Sequence, residues 1–441
     1  MEYNNRENII AVIQAGGMGT RVLELTHDEL PKPMLLLNGR PMLLWQIDVV
    51  KRYGIKRIII IIGHLGEKIR DYFGNGERYG VHISYIEERE PLGSAGSLFY
   101  VRDYPADKYL FIFGDVMFDM DISRLLNFHN TKSAQITLVA HPNAHPDDSD
   151  LLKTDLNDCV TEIIGKKNTR NGWFQNFVNA GLYVVQEDVL KYIQILEKYD
   201  WEKDIVANLL PSGKIFAYRT SEYIKDAGTP ERFKKCEEEQ IQGKWKRKNL
   251  ENKQRCIFID RDGTLNKFAG LISKPEQLVL EDGAEEAVKL INSSEYLSIL
   301  VTNQSVVARG LCTEEDVRII HKKLDTLLGR SAAYLDDIIY CPHHPDKGYP
   351  EENPEYKIDC QCRKPKTGMI NIMADKYNID LSKSYIIGDS TTDIQTGINA
   401  GLHTVLVHTG EAGKDGKYTV SSEMEAENIL MAVKAIIDRK N

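Results

Sequence analysis

No apolar run in this 441-residue chain approaches the roughly 20 residues that a membrane-spanning helix needs; the isoleucine run Ile58 to Ile62 is far shorter. The first residues, MEYNNREN, are polar and lack the apolar core of a secretory signal. Cysteine is sparse. Seven at irregular spacing do not read as a disulfide framework, so a cytoplasmic, reducing location is expected, with no membrane partner. Positive charge is in deficit: 56 Lys and Arg stand against 65 Asp and Glu, a formal net charge of -9. That argues against a dedicated nucleic-acid binder while leaving room for local basic pockets that hold phosphates.

What is present suits two or three domains, since 441 residues exceed one compact core. The organising stretch is Cys256 to Asn266, CIFIDRDGTLN. Ile257-Phe258-Ile259 reads as a buried strand that delivers Asp260 and Asp262 into the loop at its carboxyl end, where open α/β sheets place their ligands. Asp260 can attack phosphorus as a nucleophile, and Asp262, two residues on, can act as general acid toward the leaving oxygen. This D-x-D-G-T after an apolar strand resembles the signature of haloacid-dehalogenase (HAD) type phosphatases.

In the first half, the strand Ile9 to Gln14 opens into Ala15-Gly16-Gly17-Met18-Gly19-Thr20-Arg21. Gly16, Gly17 and Gly19 let the backbone lie close to a polyphosphate, and Arg21 adds a fixed positive fork. The loop has the spacing of neither a P-loop nor a Rossmann dinucleotide fingerprint. Downstream, Leu30-Pro31-Lys32-Pro33-Met34 holds one lysine in a stiff loop aimed at the phosphates. Strands and helices then alternate: helix Pro41 to Tyr53, strand Arg57 to Ile62, helix Gly66 to Phe73, strand His82 to Ile86. That pattern predicts an α/β, doubly wound, mostly parallel sheet.

G-G-x-G-T-R followed by P-K-P resembles the sugar-nucleotidyltransferase family, with its Rossmann-like, GT-A-like sheet, and within it the D-glycero-alpha-D-manno-heptose 1-phosphate guanylyltransferases. The resemblance covers roughly the first half. It implies nucleotide contacts at Gly93, Ser94 and Ala95, with Ser94 where threonine is usual, and a magnesium ligand at Asp115 after the buried strand Phe111 to Phe113. It further implies sugar contacts at Asn179 and Gly181, a second magnesium aspartate at Asp226, and Lys166 on the sugar phosphate. One position departs: Gly165 stands where the family carries a glutamate that meets sugar hydroxyls. A sugar 1-phosphate needs no general base. The barrier is bringing two anions together, which Arg21, Lys32, Lys166 and Mg²⁺ on Asp115 and Asp226 would lower.

Phe233 to Asn252 is charged throughout and reads as a final helix with a solvated face running into a linker. The domains expected are 1–240, a charged linker 241–254, and 255–441.

The second half adds the other HAD motifs in order. The strand Tyr296 to Val301 ends in Thr302-Asn303, where the resemblance puts a hydroxyl on the transferring phosphoryl group at Thr302 and a substrate contact at Asn303. Ala308-Arg309-Gly310 resembles a substrate-facing loop, Arg363-Lys364-Pro365 supplies a lysine for the aspartyl phosphate with Arg363 toward the substrate, and Gly388-Asp389 begins the acidic motif that ends at Asp393. Mg²⁺ would sit on Asp260, Asp389 and the backbone carbonyl of Asp262. Between these motifs, Cys341 and His343, then Cys360 and Cys362, give three thiolates and an imidazole, the ligand set of a closed structural zinc site. Cys159, Cys236, Cys256 and Cys312 read as small apolar fillers.

Together these motifs resemble the D-glycero-D-manno-heptose 1,7-bisphosphate 7-phosphatase and histidinol-phosphatase branch, capless and carrying a zinc loop. The fusion favours heptose, because dephosphorylation then yields the sugar 1-phosphate that the first half would consume. The expectation is a bifunctional enzyme acting on sugar phosphates and a nucleoside triphosphate, GTP by analogy with enzymes that make GDP-heptose. Another sugar and nucleotide, or a first half that only senses sugar nucleotide, stay open. So does the oligomeric state, a homo-oligomer included.

Overall fold

The computed structural model describes residues 8–439 apart from 18, 169, 171, 347, 349 and 350; Met18 of the glycine-rich loop thus lies outside the described residues. Two compact units emerge. One comprises Met1–His141, Leu152–Gly165 and Asn179–Glu251, the other Pro142–Leu151, Lys166–Val178 and Asn252–Asn441.

The first unit is built on a mixed sheet whose central strands are parallel: His82–Glu87, Arg57–Ile62, Ile9–Gln14 and Lys108–Phe113, in that spatial order. Ile58 to Ile62 are each at most 1% exposed. A strand covered on both faces must be apolar throughout, which is why this run does not alternate. Val178–Gln186 then pairs antiparallel with Lys108–Phe113, so the expected parallel sheet turns mixed on that side. The helices expected at Pro41 to Tyr53 and Gly66 to Phe73 form as Met42–Arg52 and Gly66–Phe73.

The stretch 241–254 is packed rather than free. It holds the helix Lys244–Lys248, and Trp245, 4% exposed, stacks on Tyr223 at 4.8 Å and meets Trp45 edge-on at 5.6 Å. Asn249 and Leu250 are buried in turn. The aromatic residue that looked like an island among lysines is therefore the anchor of the segment.

The second unit carries an all-parallel sheet in the order Asp337–Cys341, Tyr296–Asn303, Arg255–Ile259, Tyr385–Gly388, His403–Val407, Met424–Ala426. Strand order reverses between Arg255–Ile259 and Tyr385–Gly388. Ligands of doubly wound sheets bind at such a switch point, and Asp260 and Asp389 follow those two strands. This unit also incorporates residues 142–151 and 166–178 from the first half of the chain. Within it, the Phe174 amide donates to Thr326 Oγ1 at 2.9 Å and the Asn176 amide to Asp325 Oδ2 at 3.2 Å, both on the helix Glu314–Arg330. Among the described residues no helix is long and apolar enough to cross a membrane.

Candidate active sites

In the second unit, Lys364 is 5% exposed and bridges two carboxylates, Asp260 Oδ1 at 2.6 Å and Asp393 Oδ1 at 2.5 Å. Asp389 lies alongside: carboxylate oxygens of Asp260, Asp389 and Asp393 fall within 4.8 Å of one another. One lysine cannot neutralise three buried carboxylates. Burial, then repulsion from Asp393, pushes the Asp260 carboxyl up to about 7, and burial, then Asp260, pushes Asp389 up to about 8. Such a concentration of hard oxygen donors fits a divalent cation, which would offset the excess charge. Glycine lets the backbone pass close to this carboxylate: a Cβ on Gly263 or Gly410 would come within 2.2 or 2.0 Å of Asp389 Oδ2.

These shifts have a testable consequence. A carboxyl titrating higher when folded stabilises the fold at low pH and loses that contribution as pH rises through its folded value. The metal-free unit should therefore lose stability as pH rises from about 4, where the unfolded carboxyls ionise, and level off above about 8, where Asp260 and Asp389 have ionised in the fold as well. Mg²⁺ competes with those protons, so its affinity should rise steeply from about pH 6 to about pH 8.5 by titration calorimetry. An affinity flat across that window would remove this account of the site.

Asp393, the end of the acidic motif, joins the cluster directly, whereas the Asp262 carboxylate is turned onto Arg261 at 2.8 Å. Thr302 Oγ1 is buried and accepts from Gln304 Nε2 at 2.8 Å. Asn303, expected at the substrate, has both ends of its amide on the Lys364 backbone, at 3.0 and 3.2 Å. Arg363 donates to the His343 carbonyl at 3.0 Å, tying the loop before Lys364 to the cysteine cluster.

That cluster converges as the spacing implied. Sγ atoms of Cys341, Cys360 and Cys362 lie 3.1 to 3.4 Å apart, with His343 Nδ1 3.3 Å from Cys362 Sγ. These separations exceed the roughly 2.05 Å of a disulfide. They suit four ligands around a tetrahedral ion at about 2.0–2.3 Å.

In the first unit, a cleft of about 430 Å³ opens at the carboxyl ends of Ile9–Gln14 and Lys108–Phe113. Gly16, Gly17, Gly19, Arg21, Lys32, Gly93, Ser94 and Asp115 line it. Lys32, 9% exposed, pairs with Asp115 Oδ2 at 2.6 Å, and Arg21 stands 3.6 Å from the same oxygen. Asp226 comes next to Asp115 because Val116–Asp119 and Tyr223–Asp226 pair antiparallel with Asp226 opposite Val116, and the Ala227 amide donates to the Asp115 carbonyl. Arg232 holds Asp226 at 2.6 Å. Two aspartates at neighbouring backbone positions suit a divalent ion, with Lys32 and Arg21 at hand for phosphate oxygens.

Gly93, at φ 76°, could not be another residue: a Cβ would sit 2.3 Å from the Tyr199 carbonyl. Ser94 Oγ accepts from the Trp201 amide at 2.7 Å, and the buried Ala95 donates its amide to the Tyr199 carbonyl, so this turn is braced by residues 199–201. Asn179 donates to Tyr183 Oη at 2.8 Å and to Glu202 Oε1 at 3.2 Å, and Gly181 packs against Phe113. Lys166 is exposed and does not line the cleft.

Two carboxylates here escaped the sequence reading. Glu202 joins Asn179 and Tyr183, and Glu88 lines the cleft, with Gln14 Nε2 and Ser97 Oγ donating to its Oε1 while Oε2 lies against Gly16. Burial raises the Glu88 pKa. Neither had a motif to announce it, Glu88 least of all, within the charged run EEREP.

Residues 10–242 match the nucleotidyl transferase family and residues 361–429 the HAD-hydrolase-like family. A D-glycero-beta-D-manno-heptose-1,7-bisphosphate 7-phosphatase of Pasteurella multocida strain Pm70 is 38% identical over 189 residues, spanning 41% of this chain and 100% of that protein. The enzyme of the same name from Escherichia coli K12 is 38% identical over 157 residues, 35% of this chain and 80% of its own length. The crystal structure of HddC from Yersinia pseudotuberculosis aligns with 52% of this chain and 99% of its own at 24% identity, with a TM-score of 0.46.

Proposed function

Because this chain belongs to the nucleotidyl transferase family through its N-terminal half and to the HAD-like phosphatases through its C-terminal part, we propose that it catalyses two consecutive steps on one sugar. The C-terminal unit removes the 7-phosphate of D-glycero-D-manno-heptose 1,7-bisphosphate, and the N-terminal unit transfers a nucleotidyl group to the heptose 1-phosphate that remains, releasing pyrophosphate. The observation that carries this is the pairing of a nucleotidyl transferase half and a phosphatase half in one chain whose phosphatase relatives are named for a substrate with a second phosphate on C1.

In the phosphatase, the Asp260 carboxylate bonds to phosphorus as the bond to the sugar oxygen breaks, and Asp262 protonates that oxygen. Water then attacks the aspartyl phosphate and gives its proton to Asp262 as phosphate leaves. Lys364 stabilises the aspartyl phosphate, with Thr302 on the phosphoryl oxygens and Arg309 and Arg363 toward the sugar. Mg²⁺, held by Asp260 and Asp389 with Asp393 and the Asp262 backbone in support, would screen charge on the phosphoryl group, and zinc is the ion that the Cys341, His343, Cys360 and Cys362 donor set takes. In the transferase, Arg21 and Lys32 draw the phosphates together, with Mg²⁺ on Asp115 and Asp226, while Asn179 and Gly181 serve the sugar phosphate. Glu202 supplies a carboxylate beside Asn179, the kind of hydroxyl acceptor that Gly165 removes elsewhere.

GTP is the favoured donor. Resemblance to GDP-heptose-forming enzymes supports it, and so does Glu88: a carboxylate lining the cleft can accept the paired N1–H and N2–H donors that, among the common bases, only guanine presents on one edge. A Glu88→Gln variant should lose GTP use by about 10-fold or more, the worth of one charge-assisted bond, and gain relatively on other nucleotides. Unchanged nucleotide preference would take Glu88 out of base recognition.

Incubating the enzyme with the α- and β-anomer of the bisphosphate separately, Mg²⁺ and each nucleoside triphosphate in turn, and reading products by mass spectrometry, tests the whole proposal. One anomer should give GDP-heptose. Heptose 1-phosphate alone would leave the phosphatase standing and turn the first half toward another sugar or toward sensing; no phosphate release would sink the heptose assignment.

A further inference from the structure

The residue between the two catalytic aspartates is, among the described residues, the most completely buried cation of the second unit. Arg261 is 0% exposed, and the loop Thr264 to Asn266 folds over its carbonyl. An arginine deep in a protein must be paired, or its burial costs several kcal/mol. Its chosen partner is Asp262: Nε reaches Oδ1 at 3.0 Å, and Nη2 reaches Oδ1 at 2.9 Å and Oδ2 at 2.8 Å.

Two further donors complete the cradle. Asn266 Nδ2 meets Oδ1 at 3.1 Å, and Gln304 Nε2 meets Oδ2 at 2.9 Å while reaching Thr302 Oγ1 at 2.8 Å. Behind the guanidinium, Nη1 points to His321 Nε2 at 3.4 Å. Burial, with Arg261 beside it, keeps the His321 ring well below its ordinary pKa and therefore neutral, so it can accept from the arginine rather than repel it. The His321 ring in turn packs edge-on against Tyr340 at 5.4 Å.

We propose that Arg261 is the positioning residue of the phosphatase, clamping the Asp262 carboxylate in the one orientation from which it can hand a proton to the departing sugar oxygen. The inference rests on the phosphatase reading of this unit and not on heptose as its substrate. A free aspartate side chain rotates among staggered wells, and the fraction of time spent toward the leaving oxygen scales the proton-transfer step directly. Three hydrogen bonds in a planar fork remove that freedom; a lysine, with one rotating ammonium, removes only part of it.

The leaving group separates this role from a structural one. An alkoxide cannot depart without a proton, whereas p-nitrophenolate can. In an Arg261→Met variant, the single-turnover rate of leaving-group release from an alkyl ester should fall about 100-fold, the usual worth of general acid catalysis, while first-turnover release of p-nitrophenolate stays within about threefold; steady-state kcat falls on both esters, because hydrolysis of the aspartyl phosphate also uses Asp262. Arg261→Lys should recover part of the loss, Asp262→Asn should show the same selectivity, and the double variant Arg261→Met with Asp262→Asn should be no worse than Asp262→Asn alone. Heptose 1,7-bisphosphate serves as the alkyl ester, or sugar 6-phosphates if the wild type refuses it. If the methionine variant does not fold, the lysine variant carries the same comparison. Equal first-turnover losses on both esters in a folded variant, no loss on the alkyl ester, or additive losses in the double variant would each overturn the proposal.

Discussion

Replacing Asp260 with Asn should lower phosphate release by about 10⁴-fold or more while leaving nucleotidyl transfer from a supplied sugar 1-phosphate within about twofold. The substitution keeps the side chain's shape, and Lys364 retains Asp393 at 2.5 Å, so the fold has little reason to change. What disappears is the nucleophilic oxygen pair. An amide neither attacks phosphorus nor forms the acyl phosphate that water later opens. The loss should therefore extend to first-turnover release from p-nitrophenyl phosphate, in contrast to the selective loss expected at Asp262 and Arg261. Incubation with heptose bisphosphate and nucleotide should stall before any sugar nucleotide forms, and added heptose 1-phosphate should restore it. A residual rate that climbs toward wild type with excess Mg²⁺ would make Asp260 a metal ligand and not the nucleophile.

Much of this chemistry was legible because it sits where a local pattern ends. Phe111 to Phe113, Ile257 to Ile259 and Tyr385 to Gly388 are buried strands whose next residues are Asp115 after one glycine, Asp260, and Asp389. An apolar run announces the strand, and the first carboxylate beyond it is already at the sheet's carboxyl edge. Cys341, His343, Cys360 and Cys362 were legible for another reason, since four soft ligands at loop spacing have few other uses.

What stayed hidden depends on contacts between distant residues. Arg261 occupied the variable position of its motif, and nothing in its neighbours says that His321, sixty positions on, lies behind it. Trp245 sat among lysines and read as part of a solvated helix, yet its ring finds Trp45 and Tyr223. Residues 166–178 lay inside the transferase half and nevertheless bond to the helix Glu314–Arg330 of the second unit. In each case the partner lies too far along the chain for local spacing to reveal it.

Lys364 is the residue whose loss should disturb the phosphatase unit most. Its ammonium donates to both Asp260 and Asp393, and all of these groups are buried. Removing one member of such a buried set typically costs about 3–5 kcal/mol because the charges left behind have neither partner nor water. Lys364→Met should therefore lower the stability of the second unit by that amount in the absence of Mg²⁺, read as a shift of its urea transition. Lowering the pH should return part of it, because the orphaned carboxylates then protonate; the sign follows from Asp260 and Asp389 already lying above the ordinary carboxylate range. Saturating Mg²⁺ should return more, since a divalent cation supplies the missing charge. Activity should not follow stability back, because the lysine also faces the aspartyl phosphate and the metal cannot occupy its position. A variant as stable as wild type without Mg²⁺ at about pH 8 would mean that the three carboxylates do not depend on the lysine for their charge balance, and the electrostatic account of the site would fail with it.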